Sequence, residues 1–514
     1  VYESGYWNSD QWDPLNYGRK YDFSRPCFGR SRELYNAGPW GIMWSMEMVN
    51  TDYSVSAFSK NCYLCFDSGY DEDSAYNVTL LYSKKCFDGL NVKDSELCYY
   101  CLNTNQSYKT FFSRNCTSCV EVWLSQDCIG CTHCFGCSGL RNKKYCIFNE
   151  QYDKETYETK LEKMRLNTWS GIQSARKQAE ELWQRSLVKY QHGFQVFHGM
   201  GDYLYNGTEL VNCFFVGNAQ NMRHCQSVIY PPNRDGMDVT SSEGTELAYE
   251  TICCGNGIQR ALAVVESANV SDSAYSINCR QVSNVFGCVA LRSKNYCILN
   301  KQYSKEEYEA LIPRIKKHMN DMPYIDAQGR VYKYGEFFPF DMSSYDYSQT
   351  QAFEYFPLTE EEARKQGYRW RVPEKRTYAV TKKSSDLPDS IADVTDTILE
   401  NVVQCEHEET SSHSFGCDVD CASAFRITKQ ELDFYRQMKL PRLCFNCRHV
   451  DRIKWRNTPA LYSRQCMCDY KVHKNETAHQ HHTEERCPSI FQTSYAPERP
   501  EIVYCEQCYN SEIA

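Results

Sequence analysis

The 514-residue sequence predicts a mainly β chain with helices: two related β-solenoid segments of six-residue period, each closed by a helix, and a cysteine-rich carboxy-terminal module. Three observations predict this. The cysteines lie on a lattice, the lattice recurs later in the chain, and paired cysteine knuckles stand near its end.

The lattice starts at Cys62. Counted from there, Cys86, Cys98, Cys116, Cys128, Cys134 and Cys146 all fall at multiples of six, and the vacant points carry small or apolar residues such as Ser68, Ser74 and Val122. Three residues beyond the lattice points the chain again favours Cys, Ser or Gly, as at Cys65, Ser83, Gly89, Cys119 and Cys131. A period of six does not fit a helix, whereas short repeats of this kind stack as coils of a β-solenoid. A narrow interior has room for Cys, Ser or Val and none for Phe. Two hexads would make a twelve-residue coil and three an eighteen-residue coil. C-x2-C pairs occur in the lattice, but Ser or Gly replaces the second cysteine at equivalent places, so the lattice calls for smallness rather than sulfur.

The second copy is proved by a match at constant offset. Phe135-Gly-Cys-Ser-Gly-Leu-Arg-Asn-Lys-Lys-Tyr-Cys146 recurs as Phe286-Gly-Cys-Val-Ala-Leu-Arg-Ser-Lys-Asn-Tyr-Cys297, and each runs into a similar ending, Asn149-Glu-Gln-Tyr152 and Asn300-Lys-Gln-Tyr303. Helical periodicity follows both. In the second, Ser304 and Glu307 have capping-box spacing. After the first, an apolar stripe through Leu161, Met164, Trp169, Ile172, Ala179, Leu182 and Leu187 extends the helical pattern toward Gln191. Such helices cap open sheet edges.

These readings divide the chain into a lead-in (1–59), a first solenoid (60–148), a helical cap and connector (149–197), a second solenoid (198–298) with an insertion near 231–248, a capping helix with aromatic brace and solvated linker (299–403), and the carboxy-terminal module (404–514).

In that last module Cys417-x3-Cys421 precedes a capping box at Thr428 and Glu431, a short helix, and Cys444-x2-Cys447. Four thiolates arranged as two knuckles suit a tetrahedral zinc ion, which would supply folding free energy that so small a module lacks. A second set offers five thiols for four places: Cys468, Cys487, Cys505 and Cys508 are preferred, with Cys466 the alternative. Two structural zinc ions are expected, in a zinc-ribbon or treble-clef-like setting. His473, His479, His481 and His482 read as a solvated polar loop. Between the two sets lie Arg442, Arg448, Arg452, Lys454, Trp455, Arg456 and Arg464, a basic and aromatic run that could contact nucleic acid or a partner protein.

Composition bounds the function. Thirty cysteines and 39 tyrosines supply much of the apolar fraction, and the net charge of −9 argues against a whole-molecule nucleic-acid binder. No run reaches the eighteen apolar residues of a membrane span. P-loop, dinucleotide, G-x-S-x-G and H-E-x-x-H patterns do not occur, and zinc held by four protein ligands has no open position for substrate. No catalytic residue is nominated. A non-enzymatic scaffold or adaptor, with a protein partner or self-association, is expected in a soluble chain. A nucleic-acid- or ribosome-associated protein is the alternative, and a metal- or cluster-dependent enzyme the third reading.

Asp10-Gln-Trp-Asp-Pro-Leu-Asn-Tyr17, the Phe-Gly-Cys repeats, Phe356-Pro-Leu-Thr-Glu-Glu-Glu362, Leu443-Cys-Phe-Asn-Cys-Arg-His449 and Tyr495-Ala-Pro-Glu-Arg-Pro500 resemble the uncharacterised cysteine-rich zinc-ribbon proteins of candidate-phyla-radiation bacteria. The resemblance spans most of the chain. It implies zinc, a cytoplasmic bacterial setting and no catalytic residues, for a family without an established activity. Members often carry a further zinc module ahead of the segment corresponding to Val1. Val1-Tyr-Glu-Ser-Gly-Tyr-Trp7 parallels Val503-Tyr-Cys-Glu-Gln-Cys-Tyr509 with both cysteines replaced, which predicts a degenerate module tail at the start of the sequence.

Overall fold

A computed structural model describes residues 2–38, 40–41, 47–51, 53–77, 82–89, 106–225, 233–237, 262, 265, 268–372, 378–410, 421–436, 442–472, 477, 479–482 and 485–513. Cys98, Cys101, Cys417, His473 and most of the expected insertion at 231–248 lie outside them. The chain mixes helix and strand.

Both cysteine lattices form ladders of parallel rungs. Val120 pairs with Thr132 and Thr132 with Lys144, while in the second copy Val270 pairs with Val282 and Ser283 with Asn295, each pairing twelve residues apart. Isolated bridges such as Lys60 to Glu72 to Lys84 and Leu262 to Ala274 to Phe286 keep the same offset. The local unit is a triplet, half the period seen in the sequence. Its first residue makes the bridge, its second takes a positive φ, as Asn115, Asp127 and Asn142 do at +52°, and its third faces inward. Asn, Asp and Gly tolerate that left-handed conformation best. Tyr76, Phe112 and Leu124 adopt it too, each at a cost of about 1–2 kcal/mol.

The inward residue explains the lattice. Its own N–H has no rung partner and, where the inward side chain one turn earlier is an acceptor, donates to it: Ser125 N–H to Ser113 Oγ at 3.1 Å, Cys137 N–H to Ser125 Oγ at 2.9 Å, Cys86 N–H to Ser74 Oγ at 3.1 Å. The inward hydroxyl or thiol in turn donates to nearby carbonyls, Ser125 Oγ to Trp123 O at 2.8 Å and Cys119 Sγ to Thr117 O and Cys128 O, both at 3.4 Å. Smallness is therefore half of the requirement and hydrogen bonding the other half. One inward pair, Cys213 and Cys225, is joined as a disulfide, whereas Cys116 and Cys128, Cys119 and Cys131, and Cys134 and Cys146 at the same separation remain thiols.

Each ladder ends on an asparagine. Asn149 and Asn300 stand at an inward position and turn their amides back on the turn before: Asn149 accepts from Ser138 N–H and donates to Ser138 O, and Asn300 does the same with Val289. The side-chain amide replaces the peptide that a further rung would have supplied. Antiparallel pairs, Cys146 with Gln151 and Cys297 with Gln302, then fold over the edge, and helices Lys154–Lys163 and Lys305–Asp321 follow. The capping box of Ser304 and Glu307 is present. After the first ladder the expected long helix is two, because Thr168 caps a new helix, Trp169–Trp183, by accepting from Gly171 N–H. The stretch read as a solvated linker before 403 is instead three short 3-10 turns that bury Leu387 and Ile398 against the first ladder.

The lead-ins of the ladders are exchanged. Helix Trp169–Trp183 feeds the second ladder yet shares a core with Leu124, Phe135 and Ile147 of the first. Helix Cys27–Ala37 feeds the first ladder, and its Phe28 and Leu34 share a core with Tyr275, Phe286 and Ile298, the equivalent positions of the second. The two halves thus embrace reciprocally.

Replacing Ser125 with Ala strands the N–H of Cys137 in the interior, so unfolding free energy in urea is expected to fall by about 1–3 kcal/mol. Ser125→Cys, which keeps a small polar atom there, is expected to lose less.

Candidate metal centres and their seating

Strand Val403–Gln404 ends at Cys405, Cys421 precedes the strand Ala424–Phe425 paired with it, and Cys444 and Cys447 open the helix Phe445–Ile453. These four cysteines converge, with sulfur separations of 3.8 Å for Cys405 and Cys447, 4.0 Å for Cys421 and Cys444, and 3.4 Å for Cys444 and Cys447. A zinc ion with bonds of about 2.3 Å to four sulfurs needs edges of about 3.8 Å, so the donor set fits a tetrahedral ion. Backbone N–H groups of Cys444 and Ser423 point at Cys405 Sγ and Cys421 Sγ. Hydrogen bonds from Cys405, Cys421 and Cys447 hold the Cys444 thiol far below the usual range, as suits a ligand that must ionise.

Cys405 takes the place that the sequence reading gave to Cys417, which lies outside the described residues. The signal for it was a likeness of context: Val403-Gln-Cys405-Glu and Val503-Tyr-Cys505-Glu both end a strand and begin a helix.

The second cluster holds Cys466, Cys487, Cys505 and Cys508, all buried. Hairpin strands Tyr462–Gln465 and Ile490–Thr493 bring Cys466 and Cys487 together, and strand Ile502–Tyr504 followed by helix Glu506–Ile513 delivers the other two. Cys487 Sγ lies 3.9 Å from Cys505 Sγ, and Cys505 N–H donates to Cys466 Sγ. A hydrogen bond from Cys466 brings the Cys505 thiol down to about 4. Cys466, the alternative ligand, thus belongs to the four-thiol set, and Cys468 faces His479 and His482 instead. The histidines do not form a solvated loop: His479 is 1% exposed, and His481 and His482 lie against the thiols.

The basic run between the clusters is turned inward. Arg448 and Arg452 are buried on Asp88 of the first ladder, at 2.7 and 3.3 Å. Arg456 pairs with Glu354 at 2.9 Å and lies over Tyr355, and Arg442 donates to the carbonyls of Ser384 and Leu387. Arg464 donates to Ala496 O, and Trp455 packs edge-on to Trp183 with Arg114 over its face. Lys454, paired with Asp451, keeps its side chain 45% exposed. What read as a contact face is mainly the seating of the module on the ladder.

A second buried node completes the seating. His192 lies between Asp127 of the first ladder and Asp202, at 3.5 and 3.0 Å, and Ser494 of the module donates to Asp202. Burial opposes charge on His192, but Tyr203, Tyr495 and the two carboxylates raise its pKa well above 6.5.

No family model matches the chain, and no curated protein does. Among solved structures, a Desulfovibrio desulfuricans G20 protein described provisionally as an acetyltransferase matches at 9% identity and a TM-score of 0.11, over 56% of this chain and 82% of its own. At that score the likeness supports no argument about fold or activity.

Asp88→Ala leaves two guanidinium groups buried without their carboxylate. A loss of about 3–5 kcal/mol is expected in chemical denaturation. Glu354, although burial favours its neutral form, is held at about 2 by His449 and Arg456. A depressed carboxylate stabilises above its unfolded pKa, so this contribution should be full above pH 4.5 and vanish as pH falls toward 2. Acid unfolding of Glu354→Gln should accordingly show a flatter dependence over that window.

Proposed function

We propose that the protein is a non-enzymatic, zinc-containing scaffold or adaptor that acts by binding other macromolecules, with its two ladders forming narrow β-solenoids of twelve-residue coils. The observation that carries this reading is an exposed aromatic column. Phe58, Tyr70 and Tyr82 stand one turn apart on the first ladder, stacked at centroid spacings of 4.8 Å, and remain 38%, 50% and 43% exposed. Stacking fixes these rings in advance, so a partner laid along them immobilises little further side chain. Beside them runs a charged row, Lys60, Glu72 and Lys84, which would set the register of a docked partner.

Zinc is the metal we assign to the clusters, because a four-thiolate tetrahedral set suits a closed structural site with no position left for substrate. The nucleic-acid alternative rested on the basic run, whose arginines are engaged with other parts of the chain while Lys454 stays exposed, and the adaptor reading is preferred to it. A reducing, cytoplasmic setting is part of the proposal: it would keep the inward thiols reduced, and the Cys213–Cys225 disulfide is the feature that departs from it. The resemblance to bacterial zinc-ribbon proteins points to that setting.

Elemental analysis of protein purified anaerobically without a histidine tag is expected to return zinc in at least two equivalents per chain. Replacing Phe58, Tyr70 and Tyr82 together with Ser should leave zinc content and circular dichroism unchanged and weaken association, with itself or with a protein partner, by roughly tenfold or more in sedimentation velocity. Undiminished association would remove the column from the proposal.

A further inference from the structure

The four-thiol set of the second cluster leaves Cys468 and three described histidines outside it, and Cys468, His479 and His482 are placed as ligands. Cys468 Sγ lies 3.5 Å from His479 Nδ1 and 3.3 Å from His482 Nε2, the two nitrogens are 3.3 Å apart, and His482 Nε2 is 3.4 Å from Cys508 Sγ. A zinc ion bound by two sulfurs and two nitrogens, at bonds of about 2.3 and 2.0–2.1 Å, has edges of about 3.3 Å between nitrogens and about 3.5 Å between nitrogen and sulfur. The observed separations match that figure on every edge quoted.

Both imidazoles are also anchored from behind. His479 Nε2 meets Glu512 Oε1 at 2.7 Å, and His482 Nδ1 meets Glu485 O at 2.9 Å. An acceptor on the far nitrogen fixes the tautomer that leaves the near nitrogen's lone pair free, the usual arrangement behind a metal-bound histidine. Glu512 is itself 6% exposed and lies one helical turn beyond Cys508, so the carboxylate and the shared thiol come from one rigid element. His481 also approaches the thiols, with Nε2 3.1 Å from Cys508 Sγ. Among the described residues no partner fixes its Nδ1, so it lacks the rear anchor that the other two have.

Cys508 belongs to both tetrahedra. Two tetrahedra that share one corner require seven donors. The five cysteines with His479 and His482 provide seven.

We infer that this cluster holds two metal ions bridged by the Cys508 thiolate, one in a four-sulfur site and the other in a site of two sulfurs and two nitrogens, so that the chain carries three ions rather than two. The inference rests on the zinc reading of the module. It makes Cys468, His479 and His482 ligands rather than neighbours of a metal site.

The test uses the full chain, stripped of metal anaerobically and titrated with Co²⁺, alongside native mass spectrometry of the zinc form. Three ions per chain are expected. At full cobalt loading the two bridged ions couple magnetically through the shared sulfur, so the electron paramagnetic resonance spin count should fall to about one cobalt per chain, that of the isolated first cluster. The double variant His479→Ala/His482→Ala is expected to bind two ions, with a spin count of two and no coupling. Two ions in the unaltered chain, or three with the full uncoupled signal, would overturn the bridged site while leaving zinc in the module intact. No tight metal in either form would overturn the zinc reading itself. The spin count of the unaltered protein decides the matter even if the double variant does not fold.

Discussion

Parallel pairing at an offset of twelve residues leaves a narrow interior, and its tightness sets one N–H in every three pointing inward, where no rung meets it. An unpaired buried amide costs about 1–3 kcal/mol, so the ladder favours an acceptor at its inward positions, although Val122, Leu204, Leu210 and Met222 also stand there. Ser and Asn meet that demand, and Cys meets it weakly while filling space better. The same geometry forces the left-handed conformation on every second residue of the triplet, including rings as large as Tyr76 and Phe112. Outward placement is an advantage where rings share a corner on successive turns, since Phe58, Tyr70 and Tyr82 stack there.

Because each turn is so thin, its inward positions take nothing larger than Leu or Met, as at Leu204, Leu210 and Met222, and the aromatic rings are buried on its outside. Leu124, Phe135 and Ile147, and their counterparts Tyr275, Phe286 and Ile298, form that outer apolar strip. Each strip is covered by a helix that leads into the opposite ladder, so neither ladder is covered unless both are present. This ties the halves into one cooperative unit, with Asp88, Arg448 and Arg452 adding a desolvated ionic lock at which removing any member is costly.

The residues that repeat were the legible ones. Cysteine spacing exposed the ladders, the duplicated Phe-Gly-Cys segments fixed their equivalence, and the Ser304 and Thr428 capping boxes marked helix starts that the structure contains. The triplet showed only as a lattice of six with small residues three places on, because the inward positions mix Cys, Ser, Val and Leu in no fixed order. Ligand choice was less legible, since Cys466 and Cys468 are separated by one residue and only the direction of the hairpin decides which faces Cys487. The basic run misled for a physical reason: arginines interleaved with aromatics look the same whether they meet phosphate or a buried aspartate. Asp88 lies more than three hundred residues away in sequence.

The amino-terminal segment separates docking from metal binding. Tyr2 bridges Gly41 in parallel and leads into a helical turn ending at Trp7, which lies against Arg292 of the second ladder; Tyr504 pairs with Lys189 in parallel and leads into the helix bearing Tyr509, which meets Arg141 of the first. Arg141 and Arg292 are equivalent positions of the two ladders, as are Trp7 and Tyr509 in the aligned segments. Yet Glu3 and Tyr6 stand where the carboxy-terminal copy has Cys505 and Cys508. The strand, the turn and the arginine under an aromatic ring therefore recur without any thiolate, which means the ladder recognises the ring and the strand rather than the metal. What the cysteines add at the carboxy-terminal end is a cluster that joins the hairpin to the helix Glu506–Ile513, beside the hydrogen bonds of Thr477 and His479 to Ser511 and Glu512.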